Sequence, residues 1–205
     1  MSATLTPPTP KTSRKTDHAV HALFVDRWSP RAYTGEAIPD SLLNTFFEAA
    51  RWAPSSSNAQ PWRFLYSKRG SASWPVFFDL LAEGNRKWAV NASVLVVVVS
   101  QKSKLDRNGV VQPNKTHSFD SGAAWQNIAL QAHLSGWGTR AIGGFDREKA
   151  RTALNVPDEF AVEAVIAIGK PTDKSVLPAE FHEREVPNSR QPITELIFEG
   201  GFKKA

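Results

Sequence analysis

An α+β fold is what the sequence predicts, on three observations. Apolar residues recur at helical spacing in some stretches and as short strand-like runs in others, the two kinds mix without a regular βαβ beat, and no internal repeat is visible across 205 residues. A chain of this length is by default one domain, large enough to bury roughly 70% of its unfolded surface. Residues 1–16, rich in Thr, Pro, Ser and Lys, read as a disordered basic tail, so the folded domain is expected over 17–205.

Taken in order, Asp17 is placed to cap a helix carrying Val20, Leu23 and Phe24 at i, i+3, i+4, and Pro30 ends it because the residue before proline avoids helical angles. A second helix starts after Ile38-Pro39-Asp40, with Leu42, Leu43, Phe46, Phe47 and Ala50 on one stripe and Pro54 as its stop. Arg63–Ser67 and Val94–Ser100 read as strands, the second apolar on both faces as a buried central strand is. Between them lies a helical stretch around Phe77, Phe78, Leu80 and Leu81. Residues 103–117 are polar, contain Gly109 and Pro113, and read as an exposed loop. Asp120–Leu134 is a helix apolar almost all round, hence central, with Gly136 as its C-terminal stop. Glu163–Gly169 is a further strand, and residues 170–205 form a Pro-interrupted arm without core periodicity.

Composition removes several function classes. The absence of cysteine excludes disulfides, thiolate nucleophiles and Cys-ligated zinc or iron–sulfur clusters. The longest apolar run, Val94–Val99, is far short of a membrane span, and the first residues lack a signal-peptide core, so a cytoplasmic protein with no membrane partner is expected. The net charge of +5 invites a nucleic-acid reading, but Lys11, Arg14, Lys15, Lys203 and Lys204 account for all of it and residues 17–202 are balanced. No nucleic-acid partner is therefore expected. Gly136-Trp137-Gly138-Thr139-Arg140-Ala141 fits G-x-G-x-x-A formally, but it follows a helix and precedes a strand, the reverse of a dinucleotide-binding context. No Walker loop or G-x-S-x-G elbow is present, and His18, His21, His117, His133 and His182 pair with no carboxylate at metal-binding spacing, so no metal is expected. The seven tryptophans are not interleaved with basic runs, and apolar content in a core accounts for most of them.

Three segments remain, each rich in groups suited to an anionic, planar ligand. Arg27-Trp28-Ser29-Pro30-Arg31 either grips a phosphate with planar guanidinium forks or is a solvated helix end answering the helix dipole. Ala53-Pro54-Ser55-Ser56-Ser57-Asn58-Ala59-Gln60-Pro61-Trp62 brackets hydroxyls and amides with prolines, as a heterocycle-reading loop or an ordinary polar turn would. Pro187-Asn188-Ser189-Arg190-Gln191-Pro192 is a short basic, hydroxyl-bearing segment.

Together these segments resemble the nitroreductase family of FMN-dependent oxidoreductases. The R-x-S-x-R element at Arg27, Ser29 and Arg31 is similar to that family's N-terminal FMN-binding motif. The run Ala49 through Trp62, with Glu48 supplying the acid, is similar to its block ending in A-P-S-x-x-N-x-Q-P-W. Gly84-Asn85-Arg86-Lys87-Trp88 before the buried strand, Gly136–Thr139 after the long helix, Ile142-Gly143-Gly144-Phe145 and Gly169-Lys170-Pro171 extend the likeness over roughly residues 20 to 199. The resemblance implies a mostly antiparallel sheet surrounded by helices, in an intertwined homodimer with FMN at the subunit interface. It implies that Arg27, Ser29 and Arg31, with Trp28 in the same element, hold the phosphate and pyrimidine side of FMN, and that Arg190 completes the phosphate grip. Pro54, Ser55, Ser56 and Asn58 would come from the second subunit. Asn85 and Lys87 would approach the polar edge of the ring, and Gly143 and Gly144 would offer backbone amides near its redox-active nitrogen. The C-terminal arm would reach across the partner.

The chemistry implied is a ping-pong transfer from NAD(P)H through flavin to a nitroaromatic, quinone or enone, with no catalytic side chain of the protein's own. The same fold and cofactor also serve dehalogenation, flavin cleavage or dehydrogenation, and a non-enzymatic flavin carrier is a further alternative. A cation such as Arg31 or Lys87 near the N1–C2 edge would stabilise the negative charge of reduced flavin. Many relatives carry an acid where this chain has Gly143, so an acceptor preference set by that carboxylate is not implied here.

Overall fold

The Val94–Val99 run lies at the middle of the molecule. The computed structural model describes residue 12 and residues 14–202. The elements are α1 (Ala22–Asp26), α2 (Asp40–Arg51), β1 (Trp62–Lys68), α3 (Trp74–Phe78), α4 (Glu83–Ala89), β2 (Val94–Gln101), β3 (Ser103–Leu105), β4 (Val111–Pro113), α5 (His117–Leu134), β5 (Gly138–Ile142), α6 (Arg147–Ala153) and β6 (Phe160–Gly169). The main sheet has the order β1-β2-β6-β5 with every neighbour antiparallel, so the expected α+β architecture is what the chain adopts.

The two-residue strand period divides β2 between two cores. Val94, Val96 and Val98 pack with Leu43, Phe46, Ile128 and Ala132 from α2 and α5. Leu95, Val97 and Val99 pack with Leu80, Leu81, Trp88, Leu177 and Phe181 on the opposite face. A sheet covered on both faces accounts for an unbroken apolar run where a one-sided strand would alternate. The long helix is central through Ala124, Ile128 and Ala132, and Gly136 stops it with φ +74°. Its apolar residues at the outer rim are not covered within this chain: Phe119 is 82% exposed and Leu134 64%.

Four expectations need correction. Asp17 caps no helix: α1 starts at Ala22, His21 Nδ1 accepts the Leu23 N–H (3.2 Å), and the Asp17 carboxylate accepts the Ile193 N–H instead (2.8 Å). A backbone donor of the C-terminal arm thus takes the carboxylate that local sequence would give to a cap. That helix also ends at Asp26, ahead of Pro30, because Arg27 is already extended (φ −63°, ψ 123°). Residues 103–117 are not simply an exposed loop. β3 and β4 form a hairpin, closed by the Asp106 carboxylate accepting from the Asn108 and Val110 N–H groups (2.8 and 2.9 Å) and by Gly109 at φ +77°. The Asn108-Gly109 dipeptide was its sequence signal. The arm has no periodicity, yet it plugs Leu177 and Phe181 into the core as isolated anchors.

The tail expected over 1–16 lies mostly outside the described residues. Within it, the Thr12 N–H donates to Asp26 (3.2 Å) and Arg14 Nη1 to the Val25 carbonyl (2.8 Å), so these two residues pack on α1.

Candidate functional site

Residues 27–34 reach the sheet because two glycines leave room for them. Tyr33 is fully buried, its hydroxyl donates to the Pro30 carbonyl (2.9 Å), and it lies so close over Gly169 that a Cβ there would come 2.5 Å from its Cγ. A Cβ on Gly138 would come 2.6 Å from Pro30 Cγ. The second glycine of the G-x-G sequence therefore serves packing between segments. The Thr34 N–H donates to the Lys170 carbonyl (2.9 Å) and the Thr172 N–H to the Ala32 carbonyl (3.0 Å), fastening the segment to the end of β6. From β5, Arg140 donates to the Ser29 carbonyl and stands 5.7 Å over the Trp88 ring.

On one side of this segment is a cleft of about 420 Å³ lined by Arg31, Asn85, Lys87, Trp88, Arg140 and Phe181, among others. Each of the two expected cations here is answered by a carboxylate. Arg31 Nη1 pairs with buried Glu185 (3.3 Å), whose other oxygen accepts the Arg31 and Ala32 backbone N–H groups. Lys87 pairs with Glu180 (3.0 Å), which holds its pKa above the usual lysine value. Arg140 has no carboxylate ion pair among the described residues, and burial, followed by the nearby Arg31 charge, lowers its pKa. The Asn85 amide donates to the Gly144 carbonyl (2.9 Å) and accepts from Trp88 Nε1 (3.2 Å), while Leu81 bridges Phe145. Asn85 and the Gly143-Gly144 pair are thus brought together, and the space beside Gly143 is open.

At the start of the segment, Arg27 Nη1 donates to Ser29 Oγ (3.3 Å) and Trp28 is half-buried. Burial, then Arg14 and Arg190, lower the Arg27 pKa, so these guanidiniums lie within electrostatic reach of one another. Among the described residues, Arg190 donates to the backbone carbonyls of Asn188 and Ser189 (3.4 and 2.9 Å). Arg27 thus contacts Ser29 directly, and Arg190 reaches Arg27 through its charge.

The Pro54–Asn58 loop keeps different company. It leaves α2 at a turn closed by Glu48, which accepts from Arg51 Nε and Trp52 Nε1 (2.9 and 2.8 Å); the bond to Arg51, then that to Trp52, holds its carboxyl at about 2. Ser55 Oγ accepts the Gln60 N–H (3.0 Å), the Ser56 N–H donates to Asp120 (3.1 Å), and Lys104 reaches Ser56 Oγ (3.2 Å). Ser57, Asn58 and Gln60 all have positive φ (54°, 55° and 47°), a strained arrangement of the kind that gathers at functional sites. Among the described residues no recorded hydrogen bond or ion pair joins this loop to Arg27, Ser29, Arg31, Asn85, Lys87 or Arg190.

The Nitroreductase family model matches residues 25–72 and 67–170, more than half of the chain. The chain belongs to the nitroreductase family. It resembles a crystal structure of an oxidoreductase containing FMN, with 48% identity and a TM-score of 0.92 over 97% of this chain and 100% of that one. A Streptomyces coelicolor protein, provisionally named NADH dehydrogenase/NAD(P)H nitroreductase, is 34% identical over 73% of this chain and 82% of its own. An Archaeoglobus fulgidus protein with the same provisional name is 28% identical over 80% and 89%.

Beside the expected site residues, sequence reasoning missed Arg140 at the cleft and Glu185 against Arg31, and read Arg14 only as tail charge. Glu185 meets Arg31 across 154 positions, a separation no local pattern announces. Arg140 was embedded in the discarded G-x-G-x-x-A string, and its alternation with Thr139 and Ala141 on a strand was the available signal.

Proposed function

We infer that this protein is an FMN-dependent oxidoreductase that draws electrons from NAD(P)H and passes them to a nitroaromatic, quinone or enone acceptor in two separate half-reactions. The observation that carries this reading is a pair of cationic groupings. The Arg27 and Arg190 guanidiniums, with no carboxylate ion pair among the described residues, lie within electrostatic reach of one another, and Arg31, Asn85 and Lys87 bound an open cleft. A phosphate suits the first and a polar ring edge the second. Open space beside Gly143 leaves its backbone accessible, which fits a flat ring laid against it, while Asn85 is held against Gly144.

FMN, when bound, supplies hydride acceptance and electron delivery to the acceptor. The protein's part is to bind and orient. Arg27, Ser29 and Arg190 hold the phosphate. Asn85 and Lys87 would meet the polar ring edge, with Arg31 and Arg140 adding positive charge there. The Gly143 and Gly144 amides would serve the redox-active nitrogen. Pro54, Ser55, Ser56 and Asn58 complete the site from a second copy of the chain, in a cytoplasmic homodimer. That assignment is supported by their separate hydrogen-bond company and by the uncovered apolar residues Phe119, Leu134, Trp52 and Ile197.

The purified full-length chain is expected to carry a flavin spectrum that NADH or NADPH bleaches without oxygen and that an added quinone or nitroaromatic restores. Parallel lines in double-reciprocal plots would support the two half-reactions. A colourless protein that takes up no FMN would overturn the reading, and a flavin reduced by neither nicotinamide would remove its electron donor.

A further inference from the structure

We propose that Arg14, on the segment preceding α1, is a third phosphate-binding guanidinium that makes the site select phosphorylated over unphosphorylated flavin. The proposal rests on the FMN reading above and extends it to a residue outside the R-x-S-x-R element.

Arg14 is held at the site by three ties of its neighbourhood. Its Nη1 donates to the Val25 and Arg27 carbonyls (2.8 and 3.0 Å), at the C-terminal end of α1, where carbonyls lack helical partners. Two positions earlier, the Thr12 N–H is bonded to Asp26 (3.2 Å). Three positions later, Asp17 accepts the Ile193 N–H (2.8 Å), joining the N-terminal segment to the arm that carries Arg190. The Arg14 Nε is shielded from solvent and has no hydrogen-bond partner, an uncommon state for a guanidinium donor.

Arg14, Lys15, Val25, Ser189 and Arg190 line a pocket of about 180 Å³, several times the ~30 Å³ share of a water molecule. The charge balance there is one-sided. Arg14, Arg27 and Arg190 act on one another, and Asp26 is the carboxylate recorded as opposing them at Arg14. Lys15 adds a further positive charge to the lining. A phosphate monoester carries about −1.5 to −2 at neutral pH, and so would offset part of this positive charge. The repulsion that pushes the Arg14 and Arg27 pKa values down, after burial, becomes attraction once a dianion sits among them. A purely structural Arg14 would need only its two carbonyl bonds, and would not need to stand beside two further guanidiniums.

The test compares FMN and riboflavin binding, by flavin fluorescence titration of the full-length apoprotein, for the wild type, Arg14→Ala and Arg14→Lys. The wild type is expected to bind FMN far more tightly than riboflavin. Arg14→Ala should weaken FMN about 10-fold or more, the scale of a lost charge-assisted hydrogen bond, and leave riboflavin unchanged. Arg14→Lys should recover part of the loss, and the salt dependence of FMN binding should flatten in Arg14→Ala. Equal loss of both flavins would show that Arg14 only braces the fold, and an unchanged preference would show that it does not reach the phosphate. Either result overturns the proposal while leaving the FMN reading intact. A wild type that binds neither flavin overturns both.

Discussion

The two ends of the proposed site treat positive charge in opposite ways. At the proposed phosphate end, burial and then the neighbouring guanidiniums lower the pKa values of Arg14 and Arg27, with Asp26 opposing the shift at Arg14. At the ring end, Arg31 is paired with Glu185 and Lys87 with Glu180. A phosphate keeps its charge through a catalytic cycle, so fixed and unopposed cations suit it. A ring that gains and loses negative charge is better met by cations already partly satisfied, because neither of its states is then bound overwhelmingly. On the proposed reading, cationic side chains would serve two ends of one ligand, and the neighbouring carboxylates set the difference.

The contrast is broken most severely at Glu185. Its side chain is 3% exposed and meets the Arg31 guanidinium together with two backbone N–H groups. Glu185→Ala leaves a mostly buried arginine and two buried donors unmatched, and a loss of about 3 kcal/mol in unfolding free energy is expected from breaking such a pair. Glu185→Gln keeps an accepting oxygen and should recover part of it. Denaturant unfolding of both variants measures the effect. A wild-type midpoint for Glu185→Ala would show that the pair does not hold the ring end.

The phosphate end should answer in the reverse sense. Arg27→Ala removes one of several mutually repelling charges, so unfolding of the apoprotein should be unchanged or slightly harder. FMN affinity should fall about 10-fold or more, the equivalent of 1.4 kcal/mol or above. Riboflavin affinity serves as the control. If Arg27→Ala destabilises the apoprotein as strongly as Glu185→Ala does, the two ends are built alike and the contrast fails.

This contrast was only half legible in the sequence. Arg27, Ser29 and Arg31 stand at a recognisable local spacing, and Asn85 and Lys87 lie two apart on α4. The buried strand and the long helix were legible for a related reason: repeated burial imposes a period on neighbouring residues. Nothing local marks the carboxylates. Glu185 and Glu180 come from an arm without periodicity and meet partners 154 and 93 positions away. Arg14 was hidden by the opposite effect, since the composition of its segment reads as tail while the fold uses single residues of it. The roles of Gly138 and Gly169, which make room for Pro30 and Tyr33, likewise exist only after the chain has closed on itself.

The finest adjustment lies in the exposed Lys87–Glu180 pair. Its lysine pKa is raised by the Glu180 hydrogen bond, so pairing is complete below the ordinary lysine range and is lost only as pH climbs above it; across neutral pH the pair is constant. Glu180→Gln should leave unfolding almost unchanged, because exposed pairs contribute little. It should nevertheless free the Lys87 charge to face the cleft that Lys87, Asn85 and Arg31 line. Reduced flavin carries more negative charge than oxidised flavin, so the reduction potential of the bound flavin should rise at low ionic strength. The rise should fade in 1 M salt, where screening acts over about 3 Å. A potential that does not move at low salt would place Lys87 away from the ring, and one that moves equally at both salt concentrations would point to rearrangement of the cleft. The expected result, a salt-sensitive shift without loss of stability, would mark Glu180 as tempering a nearby charge and Glu185 as fastening one.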